Sequence, residues 1–476
     1  MNPHEPSTKK PGRHINKLVI AGFLGLLLFA LLGIVFIPWD VAKPEAPDLD
    51  PPLRSPALPA AENAFTHFEE AGKLVVKNFS ARYPDGTPRD FDSLFDTTGL
   101  DGQPGWNLAF ADEVIQANAA TFAELEKGVA CRDYQPPSIS PKESIRWLQS
   151  QKNLVQLLSL KSLRAQRCGD YTGAGKTGLQ GLRFGQLATT NNTVLIEWLV
   201  GIALQQISLA RLEMLVADAK TPEPVLQEIL NTLNQLKPQG IADDFRNAMR
   251  GEYCQARQLD LRASVRQWLK EELLPFMGME IPMAYRFAGI PYACKPNMTL
   301  AITIDYQRAV IANADRPYAK VNLDFPSKPV MPATIWEKIA FYAKPNSIGN
   351  IWFTQNMVLE KALTKKCRLQ AYIAGLHLKI ALRLYELKHG ELPATLNALV
   401  PEYLPEIPQD PYDGQPLRYS KAEKKIWAIG ADLIDDGGKK KEENAIMLYR
   451  GRGTDAVMSL DPRDPNPPPL KKQDKP

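Results

Sequence analysis

The chain has 476 residues, of which 44% are hydrophobic and 23% charged, so it can bury the cores of two or three ordinary globular domains. Its net charge is +4, and Lys9, Lys10, Arg13 and Lys17 against Glu5 put most of that in the first seventeen residues. The remainder is nearly balanced and shows no basic stripe able to displace counterions from phosphates, which sets nucleic-acid binding aside.

Residues 18–37, LVIAGFLGLLLFALLGIVFI, contain no charged side chain. Twenty residues of helix rise about 30 Å, the thickness of the hydrocarbon core of a bilayer, and only a helix satisfies the backbone there. Pro38 ends the run and Trp39 suits the headgroup boundary. The cations before the span keep the N-terminus cytoplasmic, so the expected topology is single-pass in the inner (cytoplasmic) membrane, with the bulk periplasmic. A cleaved signal peptide would have a shorter apolar run and small residues at the cut, where Asp40-Val41-Ala42 stands. Ala21 and Gly25 form a small-xxx-small pair of the kind that supports helix dimers.

After the span, residues 39–60 are proline-rich and read as an extended spacer that lifts the body off the membrane. AENAFTHFEEAGKLVVKNF and NLAFADEVIQANAATFAELEKGV then read as two amphipathic helices. KESIRWLQSQKNLVQLLSLKSLRAQRC reads as a third, with Leu154, Leu157, Leu158 and Leu163 near helical spacing. GLQGLRFGQLATT leads into VLIEWLVGIALQQISLARLEMLVADA, which is apolar on most sides and predicts a central buried helix. PEPVLQEILNTLNQL follows with Thr221 and Pro222 as start signals, then FRNAMRGEYCQARQLDLRASVRQWLKEELL as one long helix. Residues 275–295 are irregular, and NMTLAITIDYQRAVIANA resumes the helical pattern. In 359–388, Leu369, Ile373, Leu376, Ile380, Leu384 and Leu387 make one apolar face, with Arg368, Lys379, Arg383 and Lys388 placed mostly off it and Gly390 as a stop.

Beyond this helix a short turn of helix at Thr395–Val400 gives way to an extended path through Pro401, Pro405, Pro408 and Pro411. Asp413-Gly414 marks a turn, and LRYS and KIWAIG read as a hairpin, with IMLYR at 446–450 as a third strand. The expected fold is therefore mainly α. A basic cytoplasmic segment spans 1–17, the transmembrane helix 18–38, the spacer 39–60 and a helical-hairpin-like body 61–345. A long amphipathic helix follows over 346–388, then a small α+β module with a β-hairpin over 389–450 and a disordered tail over 451–476.

Little in the chain points to catalysis. GAGKT at 173–177 lacks the first glycine of a phosphate-binding loop, because Asp170 stands there, and it follows a helix; it reads as a glycine-rich turn between helices. His67, His377 and His389 make no HExxH pair, and there is no GxSxG elbow. Cys131, Cys168, Cys254, Cys294 and Cys367 are too widely spaced for a CxxC motif, and their pairing stays open. No catalytic residue or cofactor is assigned. A periplasmic hydrolase with a site in the helical body remains as an alternative, and the chain leans away from being an enzyme.

The words ELPATLNALV, LPEIPQDPYDGQPLRYS and IGADLIDDGG, from about His389 to Gly438, resemble the C-terminal region of the major pseudopilins of bacterial type II secretion systems. The resemblance implies a long helix leading into a loop and small sheet, and a subunit associated with the envelope or a secretion system. More broadly, the order of anchor, proline spacer, helical body and terminal module looks like that of a group of uncharacterised bacterial membrane-anchored proteins. Asp432, Asp435 and Asp436 beside Gly437-Gly438 offer hard oxygen ligands in a turn, which suits Ca²⁺. Calcium binding in the corresponding pseudopilin loop implies the same role here. The reading that emerges is a structural or interaction protein held to the bilayer through 18–37, with an envelope protein as its partner.

Overall fold

The computed structural model describes Gly25 and residues 40–50, 57–82, 88–90, 108–136, 141–190, 195–236, 238–258, 260–268, 294–321, 344–356, 359–439 and 455–461. Gly25 apart, the predicted membrane span at 18–37 lies outside them, as do IMLYR at 446–450 and nearly all of the irregular 275–295. The described chain is mainly α-helical, with a three-stranded antiparallel sheet close to its C-terminal end. It divides into two units. One comprises Met1–Asp48, Ala256–Tyr306 and Asp324–Met357, and the other Leu49–Gln255, Gln307–Leu323 and Val358–Pro476. The stretch read as one body over 61–345 is thus shared between both units, and the terminal module belongs to the second.

The second unit begins with α1 (Ala64–Lys73), which buries Ala64, Phe65, Phe68 and Ala71 at helical spacing. Asn63 caps it by accepting the Phe65 amide at 3.1 Å. The helix stops at Leu74 instead of running on through Phe79, and β1 (Asn78–Arg82) pairs with β2 (Pro88–Asp90). The β-branched pair Val75-Val76 disfavours helix here. The buried Asn118 also holds the Val76 backbone, accepting its N–H at 2.9 Å and donating to its carbonyl at 3.3 Å. The same side chain donates to the Val114 carbonyl at 2.9 Å, so the segment predicted as one helix breaks into α2 (Leu108–Ala117) and α3 (Ala119–Ala130).

The next helices form the main core. α4 (Pro141–Arg167) buries Leu154, Leu157, Leu158 and Leu163 as predicted, and packs on α1, α2 and α5 (Tyr171–Leu187). GAGKT is not a turn between helices: it forms the opening turns of α5, because the Asp170 carboxylate caps the helix by accepting the Gly173 amide at 2.8 Å. The glycines of α5 then serve close packing against α6 (Leu195–Ala217). A Cβ on Gly178 would lie 2.7 Å from the Leu212 side chain, and one on Gly185 only 2.6 Å from the Gln205 backbone nitrogen.

Helix α6 is long and apolar enough to cross a membrane by length and composition, and 61% of its apolar window is buried. It packs on α4, α5 and α12 (Leu359–His389) and is followed in the chain by α7 (Glu223–Asn234), and Glu197, Arg211 and Glu213 along it are buried. It is the central core helix that its composition predicts. Its first amide, at Leu195, is satisfied at 2.8 Å by Glu252 of α8 (Pro238–Gln258). In α12, Leu369, Ile373, Leu376, Ile380 and Leu384 are buried, while Leu387 is exposed. Lys379 is not off the apolar face; it is 3% exposed, for a reason given below.

The terminal sheet consists of β3 (Arg418–Ser420), β4 (Lys425–Ala428) and β5 (Ala456–Ser459). β3 and β4 form the predicted hairpin, with Tyr419 opposite Ile426. The third strand comes from 456–459, inside the stretch read as a disordered tail, and sets Met458 opposite Ile426. Both residues are buried, and α12 packs on β4 and β5.

In the first unit, α9 (Leu261–Trp268) contacts α11 (Ser347–Asn356), and α10 (Pro296–Ala312) begins there. The helix predicted across 245–274 is interrupted, because Asp260 starts α9 afresh by accepting the Ala263 amide at 3.1 Å. Residues 40–48 are not a free spacer. Asp40 caps α10, Glu45 pairs with Arg257 at 3.2 Å, and Ala46 is buried.

The α5–α6 contact makes a direct forecast. Gly185→Ala forces backbone against backbone and lowers stability by about 1–3 kcal/mol. Gly240→Ala, at a helical position with nothing within 4 Å of the new Cβ, is neutral or stabilising by up to about 1 kcal/mol. Urea unfolding of the two variants beside the parent separates these outcomes.

Candidate functional site

The QDPYDGQPLRYS stretch builds the most ordered polar centre of the terminal module. Asp410 is fully buried: Oδ1 accepts the Tyr412 amide at 2.9 Å, and Oδ2 accepts the Ile429 amide at 2.8 Å. Gly414, at φ +79°, lets the chain turn so that Asp413 comes round beside Asp410. Between them sits Arg418, whose guanidinium donates to both Asp410 and Asp413 and places Nε 3.4 Å from Asp435 Oδ2. One planar cation thus joins the proline loop, strand β3 and the loop after β4.

Burial pushes Asp410 up to about 6, against the pull of the Tyr412 and Ile429 amides and Arg418. Asp413 is also partly buried, but Arg418 and the Gln415 amide outweigh that and hold it below the usual carboxylate range. Asp435 is held low chiefly by the Trp427 indole, which donates to it at 3.0 Å, with help from Gly437 N–H and Arg418.

Two of the three acids read as calcium ligands have different partners. Asp435 faces Arg418 and Trp427, while Asp432 accepts the Ile434 amide at 3.3 Å within its own turn. Among the described residues no group of three or more His, Cys, Asp or Glu side chains is placed to hold a metal ion. Asp435 is a structural ligand of arginine here, because a fixed cation already occupies its side of the loop.

A second polar centre lies inside the helical core. Glu213 of α6 accepts a hydrogen bond from Tyr372 Oη at 2.9 Å and from Lys379 Nζ at 3.2 Å, both on α12. All three side chains are buried. Two clefts flank this cluster along α12. One lies against the sheet and is lined by Arg368, Tyr372, Gly375, Trp427 and Met458 among others. The other includes Lys379, Arg383, Glu386 and Leu392. Gly375 leaves room for Met458, whose sulfur would lie 2.9 Å from a Cβ there. A third polar set joins α4, α5 and α6, with Ser162 of α4 donating to the Ala174 carbonyl of α5 at 2.8 Å. Arg211 donates to Ser162 at 3.1 Å and to Gln166, which donates to Asp218 at 2.8 Å.

The histidines are dispersed. His67 of α1 pairs with Glu124 of α3 in a half-buried contact, and His389 stacks on Tyr385 at 4.1 Å. His377 is packed between α12 and α7, where burial lowers it to about 4, so it is neutral at ordinary pH. No disulfide joins the cysteines among the described residues, and Cys294 and Cys367 are buried. Comparisons of the chain with protein-family models, curated proteins and solved structures return no match.

Sequence spacing missed Asp410, Arg418, Glu213 and Lys379. The one available signal was charge on apolar faces: Glu213 interrupts a hydrophobic helix, and Lys379 lies one residue from Ile380.

Two forecasts follow from these centres. Asp410 is raised, so its contribution to stability is complete below its unfolded value of 3.8 and is lost as pH rises through about 6. Asp413 and Asp435 are lowered, so theirs is present above 3.8 and lost as pH falls through their folded values. Asp410→Asn therefore removes the loss between pH 4 and 6, seen as a flatter profile of melting temperature against pH. For the helical core, Lys379→Met strands a buried carboxylate and costs about 3–5 kcal/mol, while Lys379→Met with Glu213→Leu recovers most of it. A double-mutant cycle by chemical denaturation measures both.

Proposed function

We propose that this protein is a membrane-anchored extracytoplasmic structural or interaction protein, with its N-terminus in the cytoplasm and its helical body and terminal module in the periplasm. The observation that carries the reading is the uncharged run 18–37 directly behind four cations, long enough to span a bilayer and oriented by them. The chemistry of the body supports it. The prominent buried charges are directed at one another: Arg418 at three carboxylates, and Glu213 at Lys379 and Tyr372. Such centres hold helices and loops in place.

The pseudopilin-like words at 389–438 support a more specific role, as an envelope or secretion-system-associated subunit. The order of elements agrees with that reading: a long helix, a 3₁₀ turn at Leu396–Leu399, a proline-punctuated loop and a small sheet packed on the helix. In this reading the terminal module meets the partner, and the anchor keeps that contact near the membrane.

The test is fractionation followed by capture. Full-length protein is expected to stay in the membrane pellet after alkaline carbonate, with its body digested only by protease added from the periplasmic side. Affinity purification from detergent-solubilised membranes is expected to bring down a secretion-platform or other envelope protein. Recovery of the unprocessed chain in the soluble cytosol overturns the anchor, and purification without an envelope partner overturns the interaction role.

A further inference from the structure

We infer that the first unit is clamped against the bilayer surface by the residues that leave the membrane, a conclusion that rests on the anchor proposed above. Asp40 reaches the first turn of α10, where its carboxylate accepts the Asn297 amide at 2.7 Å and the Met298 amide at 3.2 Å. The Asn297 side chain returns a hydrogen bond to the Val41 carbonyl at 2.7 Å. Two donors that a helix start leaves open are therefore satisfied by a residue more than 250 positions earlier in the chain, which also suits the positive end of the helix dipole. Glu45 fixes the same stretch to Arg257 at 3.2 Å, and Ala46 is buried.

Only Pro38 and Trp39 separate Ile37, the last residue of the span, from Asp40. Three Cα–Cα steps of 3.8 Å hold Asp40 within about 11 Å of the span's end. The start of α10 consequently lies at headgroup depth. The partner of this surface is the phospholipid headgroup layer of the membrane that holds the anchor. Val41, a large apolar side chain 48% exposed in the clamp, lies on the stretch nearest to it.

The experiment uses the full-length chain in vesicles of phosphatidylcholine and phosphatidylglycerol, with a fluorescent amino acid encoded at Met298. A spin label on the lipid headgroups is expected to quench this position. Inserting twelve Gly and Ser residues between Trp39 and Asp40 leaves the clamp intact but lengthens the tether, and quenching is expected to be lost. Asp40→Ala is expected to weaken quenching, whereas Asp40→Asn, which can still cap, retains it. A chain that resists carbonate extraction yet shows no quenching at position 298, or quenching unchanged by the insertion, overturns the clamp while leaving the anchor standing. A chain released by carbonate overturns the anchor itself.

Discussion

A buried ion pair between segments far apart in sequence, Glu213 on α6 and Lys379 on α12, governs how the larger unit is put together. Removing both charges from water is unfavourable by several kcal/mol for each ion, and only close geometry with further hydrogen bonds offsets it. Tyr372 supplies one such bond. Any other register of α12 on α6 would leave at least one charge buried alone, so the pair selects one alignment out of many that apolar packing alone would tolerate. Because α12 also carries the terminal sheet, that alignment fixes where the module sits on the helical core.

Close approach is the second constraint. A run of glycines on α5 lets α6 come near enough for Gln205 to reach the Gly185 carbonyl, while Arg211 of α6 reaches Ser162 and Gln166 of α4. What resembles a nucleotide-loop fragment in the sequence is in the structure a groove for a neighbouring helix. The Arg418 centre plays the corresponding part in the module, where the hairpin is short and contributes few ladder bonds. A single guanidinium holds three loop carboxylates to it.

Much of the helical framework was legible from apolar periodicity, as α4, α6, α7 and α12 demonstrate, because burial repeats every three or four residues whatever the partner. The breaks were less visible. Asn118 breaks a helix through a contact with Val76 that only the folded chain supplies, and Asp260 restarts one as a local cap inside a run whose apolar spacing reads as continuous. Lys379 looked like a solvent-facing cation because its partner lies 166 positions away. Asp40 sat in a stretch that proline content marked as a linker, although its carboxylate is a helix cap. The acids at 432–436 were recognisable as a turn, but the allegiance of Asp435 to Arg418 and Trp427 depends on the sheet that brings those residues alongside.

The position of β5 has a consequence for biogenesis. β4 is the middle strand, and the residues that cover it on one side, Ala456–Ser459, are the last described element of the chain. A two-stranded hairpin is barely stable by itself. Until β5 emerges, the Met458-shaped gap over Gly375 stays open and β4 offers an unpaired edge. Completion of the module therefore waits for β5, and a nascent chain paused before residue 456 would expose an adhesive border that the folded module conceals.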